Sequence, residues 1–109
     1  MKYRSTISVF NSLEDKKIVI LEPWAEEYEV MPNQKLEIKA ESDDAGEFEI
    51  EFIGTYEDTE TIVVYGWAGC IVEVFSKGEK ISRTTDIKVP EIPKEMNMSA
   101  FLKNLFEKN

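Results

Sequence analysis

The stretch ILEPWAEEYEVMPNQ, residues 20–34, sets Trp24 and Tyr28 among four carboxylates, Glu22, Glu26, Glu27 and Glu29, in a chain that contains no histidine. Clustered carboxylates with aromatic neighbours can do three things. They can trade protons in acid–base catalysis, hold a hard divalent cation, or present charge to a cationic partner. Without histidine, Ser-His-Asp and Cys-His catalysis cannot be built, and the common zinc, blue-copper and haem ligand sets are lost as well. Glycosidase-type catalysis needs two acids in unlike environments flanking a cleft, and aligned surface glutamates offer none. The expectation is a protein that is not an enzyme.

Metal binding fares no better. ESDDAGEFEIEF, residues 41–52, fails the calcium-loop pattern because Phe52 stands where a bidentate glutamate is needed. The five glycines form no phosphate-binding loop. No cofactor and no metal are expected. Cys70, the single cysteine, alternates with Val72 and Val74 and reads as a small buried hydrophobe with no base to activate it.

The third possibility draws support from the charge distribution. Residues 22–60 carry 14 acidic and 2 basic side chains, net −12, while the remainder carries 8 and 11, net +3, which together give −9. So acidic a surface argues against nucleic acid as a partner. It suits a basic protein, whose association such a field accelerates.

Positioning these groups requires elements, and the hydrophobic period over most of the chain is two. EFEIEFI (47–53) alternates Phe48, Ile50 and Phe52 with Glu47, Glu49 and Glu51; QKLEIKAE (34–41) alternates Leu36, Ile38 and Ala40 with Lys35, Glu37, Lys39 and Glu41. EEYEV (26–30) turns Tyr28 and Val30 inward. KIVILE (17–22), TIVVYG (61–66) and CIVEVF (70–75) are apolar on both faces over most of their length, as sandwiched strands are. Further strands are expected at 3–10 and 79–83. The predicted fold is a mainly β, single antiparallel β-sandwich of 7–8 strands spanning 1–89, with a Greek key left open. A Met31-Pro32-Asn33 turn, with Asn33 left-handed, would make strands 26–30 and 34–41 a hairpin with Tyr28 opposite Leu36. The next hairpin would pair Ala40 with Phe48 and Ile38 with Ile50. One outer face then carries Glu27, Glu29, Glu37, Glu49 and Glu51, the expected surface for a basic partner.

Residues 90–109 belong to the same domain as a Pro90–Pro93 linker and a short amphipathic helix. Met98, Phe101, Leu102, Leu105 and Phe106 form its apolar stripe. The stripe must dock on the parent sandwich, on a second copy or in a partner, because so short a helix is not stable alone.

The blocks VILEPWAEEYEVMPNQKLEI and IVVYGWAGCIVEVFSKGEKI resemble a group of small, mostly uncharacterised bacterial proteins in which an E-P-W strand leads to E-E-Y, a Pro-Gly turn and a V-Y-G-W strand. Asn33 stands here in place of the turn glycine. The resemblance implies a β-sandwich and a bacterial source. Apolar runs such as Ile18–Leu21 are only four residues long, and the N-terminus shows no signal segment. A cytoplasmic protein with no membrane partner is expected. The leading functional expectation is an acidic protein-interaction protein, with toxin neutralisation or immunity as a concrete form. The alternative is a carbohydrate or small-ligand module using Trp24, Tyr28, Tyr65 and Trp67.

Overall fold

The computed structural model describes residues 2–56, 59–83, 85 and 87–90. They form eight strands: β1 (Tyr3–Phe10), β2 (Lys17–Glu22), β3 (Glu26–Val30), β4 (Lys35–Ser42), β5 (Glu49–Tyr56), β6 (Thr59–Tyr65), β7 (Ile71–Ser76) and β8 (Glu79–Lys80). No helix occurs among the described residues, and therefore none long and apolar enough to cross a membrane. The expected C-terminal helix lies outside them.

The strands build two four-stranded sheets, sheet A in the order β1-β4-β7-β8 and sheet B in the order β3-β2-β6-β5. Pairing is antiparallel except between β2 and β6, which run parallel with Val19 beside Ile62 and Leu21 beside Val64. That pair corrects the expectation of an all-antiparallel fold. These are two of the three strands read as apolar on both faces, the composition parallel strands with cover on each side require; the third, β7, pairs antiparallel in sheet A.

Between the sheets lies one core. Val19, Leu21, Tyr28, Val30 and Val64 of sheet B share a buried cluster with Leu36, Ile38, Ala40, Val72 and Val74 of sheet A. At one end Trp67 meets the edge of Phe48 with ring centroids 5.4 Å apart, and its Nε1 donates to Ser42 Oγ at 2.8 Å. Cys70 is fully buried, as its alternation implies, and burial pushes its thiol up to about 11.

The hairpins expected around β4 do not form. Tyr28 lies opposite Val19, Leu36 opposite Val9 and Ser76, Ile38 opposite Ile7 and Val74, and Ile50 opposite Val64. Met31-Pro32-Asn33 does turn, with Gln34 N bonded to Met31 O at 3.1 Å and Asn33 at φ 64°, but it carries the chain from sheet B to sheet A. Alternation dictates which face of a strand is buried, and a strand's apolar face is covered equally well by a neighbour in the opposite sheet.

Candidate functional site

The two outer faces of the sandwich differ in chemistry. On sheet A the outward positions mix signs, and they pair: Arg4 with Glu41 at 3.6 Å, Lys35 with Glu37 at 3.2 Å and Lys80 with Glu73 at 3.5 Å. Lys39 sits 4.9 Å from the Phe75 ring centre. Such exposed pairs contribute little stability, about 0–1 kcal/mol each. They keep that face close to neutral.

On sheet B the outward strand positions before the β5 bulge carry five glutamates and no lysine or arginine. Glu27 and Glu29 stand on β3, Glu49 and Glu51 on β5, and Glu22 at the end of β2. Between these flanks the central strands turn out Ile18, Ile20, Val63 and Tyr65. In register, Glu27, Ile20, Val63 and Glu51 form one row, and Glu22, Tyr65 and Glu49 the next. Lys16, from the loop before β2, reaches Glu29 at 3.0 Å.

Tyr65 is the polar centre of the second row. Its hydroxyl donates to Glu51 Oε2 at 3.0 Å. Burial, followed by that bond and the surrounding carboxylates, pushes its phenol up to about 12. Burial also raises the Glu22 carboxyl above the usual range. Burial first, and the surrounding carboxylates second, keep Tyr65 protonated, a hydrogen-bond donor held in place and unsuited to proton abstraction at neutral pH.

Four of the five glutamates expected on a common face, Glu27, Glu29, Glu49 and Glu51, are brought together here. Glu37 is not, because β4 belongs to sheet A and its outward residues point away from the opposite side of the molecule. Glu22 joins the group. Its signal was present in KIVILE, where Ile18, Ile20 and Glu22 occupy alternate positions, but two apolar faces hide which set is outward.

The four aromatic residues form no shared platform. Tyr28 points into the core, with its hydroxyl donating to Glu26, which also accepts from Arg83 N at 3.2 Å and so ties β3 to the segment after β8. Trp67 is buried at the sandwich end, and Trp24, half-buried in the β2–β3 turn, donates through Nε1 to Ile87 O at 2.8 Å. Tyr65 alone is on the outer face. No cluster of His, Cys, Asp or Glu among the described residues has the geometry to hold a metal ion. The stripe residues Met98, Phe101, Leu102, Leu105 and Phe106 lie outside the described residues. No family model, curated protein or solved structure matches this chain.

Proposed function

We propose that this protein is a non-catalytic interaction protein whose outer sheet B face receives a basic protein partner. One observation carries the reading: five glutamates and no lysine or arginine occupy the outward strand positions of sheet B, while sheet A balances its outward charges. Glu27 and Glu29 are exposed on the edge strand β3 and are the first groups a cationic surface would meet. A one-signed patch steers association and raises its rate more than it raises final affinity. Neutralisation of a basic toxin is a concrete form of this role.

Binding of a lysine- and arginine-rich peptide, followed by stopped-flow fluorescence, tests the reading. Glu27→Lys with Glu29→Lys should slow association on the order of tenfold and flatten its dependence on salt, since screening shortens the field to about 8 Å at 0.15 M. Glu37→Lys with Glu41→Lys makes the same change in net charge on sheet A. Equal slowing by both pairs would show that only net charge matters, and the assignment of a binding face would fall.

A further inference from the structure

Apolar side chains on an outward sheet face need a cover. Val63 is only 4% exposed and Tyr65 only 8%, although both point away from sheet A. No described strand lies over them, because four strands form sheet B itself and the other four pack on its inner side. Neighbours in the plane of a sheet flank a side chain but do not roof it.

The chain itself leads toward this face. Thr85 and Val89 lie beside β7, with Val72 N bonded to Thr85 O at 2.8 Å and Val89 N to Cys70 O at 3.0 Å. Gly69 N bonds Val89 O at 2.8 Å, and Gly66 N bonds Glu22 O at 2.9 Å. Pro90 therefore leaves the sandwich at the end of sheet B where Glu22 and Tyr65 stand. Seven residues, 91–97, separate it from Met98. Seven fully extended residues would span about 20 Å, roughly the length of β6. Beyond them, Met98, Phe101, Leu102, Leu105 and Phe106 recur at helical spacing, as one apolar stripe. Residues 98–106 carry one charge, Lys103, opposite in sign to the two glutamate flanks, while residues 91–109 as a whole balance Lys94, Lys103 and Lys108 against Glu91, Glu95 and Glu107.

We propose that residues 98–106 dock as an amphipathic helix on the outer face of sheet B of their own chain, over Ile18, Ile20, Val63 and Tyr65. The raised phenol of Tyr65 and the raised carboxyl of Glu22, both caused first by burial, agree with a covered face. Docking covers the centre of the face, so the basic partner proposed above would meet its rim, where Glu27 and Glu29 stand exposed. It also makes sheet B the middle layer, which accounts for central strands that are apolar on both sides.

Disulfide trapping in the full-length chain tests the proposal. Ile20→Cys with Leu105→Cys should close an intrachain disulfide under mild oxidation at a rate independent of protein concentration, as an intramolecular pair at high effective concentration must. Lys39→Cys with Leu105→Cys, which offers the outer face of sheet A instead, should close on the order of tenfold more slowly. Fully buried Cys70 stays out of the exchange. Equal rates for the two pairs would overturn the proposal, and so would disulfide-linked dimers whose yield rises with concentration, which would assign the segment to a second copy. Should the Ile20→Cys chain fail to fold, full-length Leu105→Asp can be read by NMR with a soluble paramagnetic reagent. Relaxation at the Val63 methyl groups and the Tyr65 ring should rise while that at Ile38 and Val74 stays constant. No change at Val63 and Tyr65 would overturn the docking.

Discussion

Tyr65 and Glu51 are joined across β5 and β6 by a 3.0 Å hydrogen bond in which the phenol donates to the carboxylate. The bond needs a neutral tyrosine, and burial disfavours the phenolate further, so the folded protein holds this proton more tightly than the unfolded chain does. Protonation thus stabilises the fold fully below pH 10, and the contribution disappears as pH rises from 10 through about 12. Unfolding free energy measured by urea should fall across that window, and ¹³C-tyrosine NMR should show the Tyr65 ring titrating near its upper end. Glu51→Gln should lower the Tyr65 midpoint, leaving the part of the rise that burial causes. A Tyr65 resonance that titrates near 10 in the unmodified protein would refute the arrangement.

Asn11 joins three segments that no strand connects. Its Nδ2 donates to Val30 O and to Asp15 O, each at 2.8 Å, and its Oδ1 accepts from Leu13 N at 2.9 Å. Its backbone bonds Gln34 O at 3.0 Å and accepts from Asn33 N at 2.7 Å. The side chain is fully buried, so loss of its bond to Val30 O leaves that carbonyl without its partner in the interior, while the bonds to Asp15 O and from Leu13 N are part-buried. Asn11→Ala should cost about 2–4 kcal/mol, read as a lower urea midpoint at unchanged slope. Asn11→Asp should be no better, because it removes both donors and buries a charge. A loss below about 0.5 kcal/mol for the alanine variant would show that this junction is held by the strands alone.

Gly46 faces Trp67 so closely that a Cβ built on it would lie 2.0 Å from Cδ1 and 2.2 Å from Cγ of the indole. The ring has little freedom to retreat, since Nε1 is bonded to Ser42 Oγ and Phe48 packs against it in a T-shaped contact with ring centres 5.4 Å apart. Here the requirement for glycine comes from contact with the ring. Gly46→Ala should cost about 1–3 kcal/mol and should alter the near-ultraviolet circular dichroism of Trp67. Retention of both stability and spectrum would mean that the 43–48 loop can move away without loss.

Strand positions and inward faces were legible in the sequence wherever polar and apolar residues alternate. Leu36, Ile38 and Ala40 are buried as their pattern implies, and so are Tyr28, Val30, Val72 and Val74. Neighbour relations were not legible, because Ile38 carries no mark that it lies beside Ile7 and Val74 rather than Ile50. Glu27 and Glu29 share a face with Glu49 and Glu51 because β3 and β5 are the two edges of sheet B, and not through the hairpins expected to join them. Glu37 was misplaced by the hairpin that was expected to carry it. The parallel β2–β6 pair depends on contacts more than forty residues apart in the chain, beyond the reach of any local period.

Alternation also overstates burial at a sheet edge, and two isoleucines measure by how much. Ile38 and Ile50 sit in strands of similar pattern, and both occupy the inward set. Ile38 is fully buried in the centre of sheet A, whereas Ile50, on the edge strand β5, is 59% exposed, as is Phe52 two residues on. Ile38→Ala should cost about 2–5 kcal/mol, the range for a core truncation that leaves a cavity. Ile50→Ala should stay within about 0.5–1 kcal/mol, because most of its surface never leaves water and no cavity forms. Ile53, exposed beside the bulge between Phe52 and Gly54, extends the same apolar edge. An open strand edge with such side chains is a template for pairing with another chain, and charged residues are the usual protection. Phe52→Lys should therefore leave the urea midpoint nearly unchanged and lower any concentration-dependent rise in light-scattering mass. If Ile50→Ala proved as costly as Ile38→Ala, β5 would be covered in solution, and the edge would have to be redrawn as an interface.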